Sequence, residues 1–427
     1  MRPPSVAGWG AHAFIANYHR QMTSLDRARE LDATDPLAEY IGRFVPADEQ
    51  SLLAYLDGNS LGRPLKASAE RLQEFVTGQW ATRLIRGWTD EWMQWPHLIG
   101  EAIGSAALGA APGQVIVGDS TTVMLYKLAR AAIAARPGRN EILIDTDNFP
   151  TDRYIVEGIA GELSMSIRWI ETDQSTGIST EQVEAAVGPA TALALFSHVA
   201  YRSGFIADMQ AITASVHAAG GLVLWDLSHS VGSVPVRLDA CDVDFAVGCT
   251  YKYLNGGPGA PAFAYVKQSL QDEVSQPIWG WLGRRDSFEM AHGYEPADGI
   301  RRFISGTPPI ISMIPVRAGV ELVAEAGIDR IREKSVALTE FALSVVDGWA
   351  PELGVTIGSP RDSAVRGGHV TICRSDFREL TPALWDEGVI PDFRAPDGIR
   401  LGLSPLSTTF VELHRGLAAI EAAAARR

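Results

Sequence analysis

The 427-residue chain carries 37 Lys and Arg against 51 Asp and Glu, a formal net charge of −14, which argues against nucleic acid or an anionic membrane surface as a partner. Hydrophobic content of 46% with 21% charged residues fits a globular enzyme large enough for two subdomains, and no window approaches the ~20 unbroken apolar residues of a membrane span. The three cysteines, Cys241, Cys249 and Cys373, are too few and too scattered for a disulfide framework or a metal site, and they fit a reducing cytoplasm, as does the lack of a signal-peptide shape at the N-terminus.

In chain order, a helix is expected over residues 24–31, then a loop through Asp57-Gly58-Asn59-Ser60-Leu61-Gly62-Arg63-Pro64. From residue 115 a βα rhythm sets in. Short apolar runs at 115–118, 141–145, 167–171, 191–197, 221–226, 245–249 and 260–266 read as strands; 121–135, 180–187 and 209–219 carry apolar residues at helical spacing. Short apolar strands separated by helices imply an α/β fold with a mostly parallel sheet covered on both faces. Ligands in such sheets sit beyond the carboxyl ends of strands, where Ser197, Asp226 and Lys252 fall. Past Pro308-Pro309 two long helices are expected, at 311–326 and 328–349. A smaller C-terminal unit follows: a strand over 368–374, a helix over 380–387, the segment 388–403 and a last helix from residue 410.

The chemistry concentrates in Trp225-Asp226-Leu227-Ser228-His229-Ser230 and Thr250-Tyr251-Lys252-Tyr253-Leu254-Asn255-Gly256-Gly257-Pro258-Gly259. A carboxylate ending an apolar strand and a lysine just ahead of a glycine-rich turn are what pyridoxal 5'-phosphate (PLP) requires. The amine forms a Schiff base, and the carboxylate keeps the pyridine nitrogen protonated. Lys252 follows a buried-looking strand, so desolvation would lower its pKa as a nucleophile needs. His229 either orients Asp226 and touches the cofactor or is a structural histidine. Gly118-Asp119-Ser120-Thr121-Thr122 joins a strand to a helix whose N-terminal amides suit a phosphate, although Ser and Thr cap many helices. Phe149 either stacks on the pyridine or is ordinary core. Gly256-Gly257-Pro258-Gly259 lacks the Lys-Ser/Thr ending of a P-loop. Arg400 either grips an α-carboxylate in bidentate fashion or lies on the surface.

With these residues in view, the chain resembles the kynureninase family, PLP-dependent hydrolases of the fold-type I aminotransferase superfamily. The resemblance runs from Tyr55-Leu56-Asp57-Gly58-Asn59-Ser60-Leu61-Gly62, through Leu84-Ile85-Arg86-Gly87-Trp88, Asn148-Phe149-Pro150-Thr151-Asp152, the two motifs above, Gly280-Trp281 and Gly306-Thr307-Pro308, to Arg400-Leu401-Gly402-Leu403-Ser404-Pro405-Leu406. It implies that Lys252 is the Schiff-base lysine and Asp226 the pyridinium partner. Phe149 would stack on the ring with Asp152 and His229 close by, and Ser197 would sit near the phenolic edge. Thr121, Thr122, Tyr251 and Trp281 would hold the phosphate, and Thr307 would reach the site from the partner subunit of a homodimer. Arg400 would bind the carboxylate of a small amino-acid substrate and Trp88 would contact the rest of it; Trp88 and Thr307 match the bacterial pattern. Implied too are an N-terminal segment (1–60) packed on both domains, a large PLP-binding domain (61–310) and a linking helix with a small C-terminal domain (311–427).

The implied reaction, in tryptophan catabolism, is hydrolysis of L-kynurenine or its 3-hydroxy form at the Cβ–Cγ bond. A relative acting on a modified kynurenine in secondary metabolism would share these residues. A cysteine desulfurase or selenocysteine lyase would need a mobile nucleophilic cysteine. Cys373 lies in a strand-like run, and residues 391–397 contain no cysteine.

Overall fold

A computed structural model of the chain describes residues 23–48 and 51–426; the first 22 residues of the expected N-terminal segment lie outside that range. Among the described residues thirteen strands follow in chain order: β1 Ala54–Tyr55, β2 Val115–Gly118, β3 Glu141–Asp145, β4 Ser166–Ile170, β5 Thr191–Ser197, β6 Leu222–Asp226, β7 Phe245–Gly248, β8 Ala262–Val266, β9 Thr356–Ile357, β10 His369–Cys373, β11 Val389–Ile390, β12 Asp392–Arg394 and β13 Gly398–Gly402. The central sheet has the order β2-β8-β7-β6-β5-β3-β4. All neighbours are parallel except β8, which runs antiparallel to β2 and β7.

Both faces of this sheet are covered, and successive strand residues therefore enter opposite cores. Val223 and Trp225 of β6 join one core with the helices Met209–Ala218 and Ile310–Ala326. Leu222 and Leu224 join the other, with Thr121–Ala134 and Pro150–Leu163. Two-sided burial is why these strands read as unbroken apolar runs rather than alternating ones. The exception is β4, at the sheet edge, whose Ser166, Arg168 and Trp169 are exposed.

A second, antiparallel sheet of order β12-β13-β10-β9 packs with the helices Ile328–Val346, Phe377–Asp386 and Phe410–Ala425 around a third core. The two long helices divide between cores: Ile310–Ala326 packs on the central sheet, whereas the half of Ile328–Val346 from Leu338 onward packs on the smaller one. Gly327, at φ +82°, turns the chain between them. The segment after β1 touches both units. Ala54 pairs with Val389 of β11, the Gly58 N–H donates to Gly402 O at 3.0 Å, and the Gly62 N–H donates to Tyr251 O at 2.8 Å. Residues 66–108, for which the sequence reading gave no elements, form the helices Lys66–Glu74 and Trp95–Ile103, each running into a wider π-type turn.

Candidate active site

Three strand ends set the site. Ser197 and Asp226 close β5 and β6, and β7 ends four residues before Lys252. Between these ends and the N-terminus of the helix Thr121–Ala134 lies a cavity of about 400 Å³, with Thr121, Thr122, Phe149, Asp152, Asp226, Tyr251 and Lys252 in its wall.

Lys252 is 7% exposed. Its Nζ lies 3.0 Å from His229 Nε2 and 5.8 Å from the centre of the Phe149 ring. Burial lowers the Lys252 pKa, and burial together with the Lys252 charge holds His229 well below its ordinary value. His229 is therefore a neutral imidazole beside an amine poised to lose its proton. Asp226 accepts the Ser228 N–H at 2.8 Å on Oδ1. Asp152 is fully buried near it, and burial plus the Asp226 charge push its carboxyl far above the usual range. Two buried carboxylates this close cannot both ionise. Burial raises Asp226 as well, but the Ser228 hydrogen bonds and the Lys252 charge oppose that rise, so of the two Asp152 is the one that keeps the proton.

At the other end Asp119 adopts φ +46° and turns β2 into the helix, whose N-cap Ser120 accepts from the Val123 N–H. Free amides of the first turn, with the hydroxyls of Ser120, Thr121 and Thr122, make an anion cradle. Asp119 would oppose an anion there, but Lys127 Nζ lies 2.6 Å from its carboxylate and also donates to Phe303 O at 2.6 Å. The Ala262 N–H donates to Asp119 O at 2.9 Å, tying the loop after Lys252 to the cradle.

Ser197 is not in the cavity wall. Its Oγ donates to Asn148 Oδ1 at 2.9 Å, the same oxygen that accepts the Phe149 N–H at 2.7 Å, so Ser197 seats the Phe149 ring through Asn148. Tyr201 meets that ring edge-on at 5.5 Å. Arg400 is buried, not on the surface. Its guanidinium donates to Tyr201 O at 2.7 Å and Ser60 Oγ at 2.6 Å and pairs with Asp392 at 2.7 Å. Trp88 and Thr307 lie instead in an open apolar hollow of about 480 Å³ with Phe75, Trp80, Leu84 and Ile85. Trp281 is 38% exposed and packs edge-on against Phe288. The structure thus gathers Lys252, Asp226, Tyr251, Thr121, Thr122, Phe149 and Asp152 in one cavity with His229 against Lys252. Trp88, Trp281 and Thr307 stand apart. Sequence reasoning missed Asp392 and Tyr201, which engage Arg400; the alternation Asp392-Phe393-Arg394 on one strand was the available signal.

PLP fits this donor set. The cradle takes a dianionic phosphate, Phe149 offers a ring face and Asp226 a carboxylate for the ring nitrogen. Asp152, whose buried carboxyl is hydrogen-bonded to Asp226, backs the carboxylate that would meet the ring nitrogen. Lys252 supplies the amine.

Comparison with known proteins agrees. The family model for class-V aminotransferases matches residues 105–366, and that for the kynureninase C-terminal domain matches residues 331–420. Kynureninase from Pseudomonas fluorescens is 39% identical over 397 residues, covering 92% of this chain and 93% of that one. The Burkholderia pseudomallei (strain 1106a) kynureninase is 38% identical over 398 residues, again 92% and 93%. Among solved structures, the apo cysteine desulfurase of Thermococcus onnurineus NA1 superposes with a TM-score of 0.78 at 18% identity, covering 91% of this chain and 98% of that one. A C-DES variant with glycine covalently linked to its PLP cofactor gives 0.75 at 18% identity, covering 88% and 99%. At such identity these structures establish the fold alone, whereas the sequence relatives establish the family: the chain belongs to the kynureninases, built on the class-V aminotransferase fold.

Proposed function

We propose that the protein is a PLP-dependent hydrolase that converts L-kynurenine and water to anthranilate and L-alanine. The observation that carries this reading is the buried Lys252 amine facing the Asp226 carboxylate across a cavity that ends in an anion cradle, in a chain with kynureninase relatives along most of its length. Thr121, Thr122 and Tyr251 would hold the phosphate, Phe149 would support the ring, and Lys252 would hold the cofactor through Nζ. Bound PLP supplies an electron sink for the bonds broken at the substrate's α- and β-carbons. Lys252 Nζ takes the α-proton and redelivers it. Asp226, its charge favoured by protonated Asp152, would keep a proton on the ring nitrogen. Water adds to the aryl ketone and the Cβ–Cγ bond breaks. The Tyr251 hydroxyl, its pKa raised by burial, moves a proton during that cleavage. A Tyr251→Phe enzyme that retains PLP and full turnover would remove Tyr251 from the mechanism.

Arg400 anchors the α-carboxylate. The chain acts as a homodimer, a second copy covering the apolar hollow and receiving Thr307 at its own cofactor. With Cys241, Cys249 and Cys373 all unpaired, we place it in the cytoplasm; among the described residues no helix is long and apolar enough to cross a membrane. Mixing PLP-loaded protein with L-kynurenine and following anthranilate fluorescence and alanine tests the reaction. Absorbance change without product would leave the cofactor in place and discard the substrate. A desulfurase reading is not favoured. The Cys373 thiol is pushed up to about 11 by burial and Asp397, far from the reactive range.

A further inference from the structure

The small sheet presents one face to Lys252, and its register says which side chains lie there. Asp392 pairs with Arg400 across β12 and β13, and Thr371 pairs with Arg400 across β10 and β13. Side chains directly opposite share a face, as do residues two apart on a strand. Arg394, two residues after Asp392, therefore stands on the same face as Asp392 and Arg400. Phe393 points the other way, under the Arg378 guanidinium at 4.8 Å. Opposite Arg394 the partner strand has Gly398, which contributes no side chain.

The two arginines differ in what holds them. Arg400 is buried and its nitrogens already engage Tyr201 O, Ser60 Oγ and Asp392 Oδ2. The side chain of Arg394 is 31% exposed, and its Nε lies 2.7 Å from the same Asp392 oxygen. Nε and Asp392 Oδ2 are buried, yet neither makes a hydrogen bond. Among the described residues, charge alone holds Arg394, and the outer edge of its fork is uncommitted. It stands on the same face of the sheet as Arg400, whose guanidinium reaches Tyr201 O and Ser60 Oγ.

A planar fork with free donors, beside a carboxylate that it shares with Arg400, suits an incoming carboxylate. We propose that Arg394 contacts the substrate's α-carboxylate as the second arm of the site anchored by Arg400, and thereby sets the preference for α-amino acids over amines. This rests on the PLP-dependent reading above. The substrate enters with its carboxylate at the Arg394 and Arg400 pair and its α-carbon toward Lys252 Nζ. Arg400, fixed by Tyr201 and Ser60, sets the position, and Arg394 closes on the carboxylate from the rim.

The test uses holoenzyme titrated with L-alanine, a product of the proposed reaction, and with ethylamine, the same amine without its carboxylate; binding is read from the shift of the cofactor absorption band. Wild type is expected to bind alanine far more tightly than ethylamine. In Arg394→Gln that ratio should shrink at least about tenfold through weaker alanine binding, with ethylamine unchanged. A ratio within about twofold of wild type in a variant that retains PLP overturns the proposal. Arg394→Lys keeps the charge and loses the fork, so it serves if the Gln variant sheds its cofactor. It should weaken alanine severalfold while sparing ethylamine, and unchanged alanine affinity in it overturns the proposal equally. Because kynurenine is not the probe, failure to cleave kynurenine and failure of the Arg394 contact are separate results.

Discussion

In the proposed mechanism Lys252 is an amine when it attacks and an ammonium after it takes the α-proton, and burial beside a neutral His229 favours the amine form. Replacing it with alanine removes the covalent hold and the proton acceptor together. Lys252→Ala should lose the absorption band of the lysine-bound cofactor and, from proton transfer alone, roughly 10²–10⁴-fold in kcat. Retained band and retained turnover would defeat the assignment. Asp145, at the end of β3 and near Asp152, is pushed up to about 7 by burial and then by Asp147. Its raised value means that the folded chain holds a proton that the unfolded chain releases near pH 4. The stability it contributes is complete below pH 4 and is lost as pH climbs to about 7. Asp145→Asn holds no such proton, so its melting temperature relative to wild type should rise between pH 5 and pH 8. At about 1.4 kcal/mol per pH unit until the wild-type group has ionised, the gain is on the order of 2–3 kcal/mol. A pH-independent difference would show that Asp145 ionises normally.

Glycines show how elements are locked to one another. An added Cβ at Gly62 would lie 2.3 Å from Lys252 O and from Asn255 Oδ1, whereas one at Gly78 would meet nothing within 4 Å. Gly62→Ala should therefore displace the Lys252 loop, costing about 1–3 kcal/mol of stability and weakening PLP retention. Gly78→Ala should be close to neutral in both melting temperature and cofactor dissociation, and equal behaviour of the two variants would refute the clasp. The Gly-Asn-Ser-Leu-Gly segment was visible in the sequence as a motif; its reason, close approach to the Lys252 loop, was not. Strands buried on both faces were legible, β2, β3 and β5 residue for residue, because short uninterrupted apolar runs in a βα alternation mark strands covered on both sides. The helices between residues 66 and 108 were not. Their period is broken by wide turns at Phe75–Trp80 and Gly104–Leu108, and they are held by packing on the helix Ile310–Ala326, far away in sequence. Lys252 and Asp226 could be read from their flanks. The engagement of Arg400 could not, since Tyr201, Ser60 and Asp392 come from three distant segments.

At the scale of the molecule, the apolar hollow with Trp88 and Thr307 leaves Ile85 77% and Leu84 59% exposed, a cluster of exposed apolar side chains of the kind that marks an interface. Sedimentation should give about twice the chain mass. A Leu84→Glu, Ile85→Glu double variant should shift the protein toward monomer with a parallel loss of turnover. A wild-type monomer with full activity would sink the shared-site reading.

The reversed strand β8 has a further consequence, for synthesis. β2 is made early, but its partner is β8: Val117 waits for Phe263. The amide that fixes the Asp119 carbonyl belongs to Ala262. A nascent chain emerging at about 5–20 residues per second thus exposes the apolar edge of β2 for several seconds before it can be covered. PLP cannot be captured until the ribosome has passed the β8 codons. Cofactor supply can act on completed or nearly completed chains, never on the N-terminal half, and slow translation between β2 and β8 would lengthen the interval in which this protein is vulnerable to aggregation.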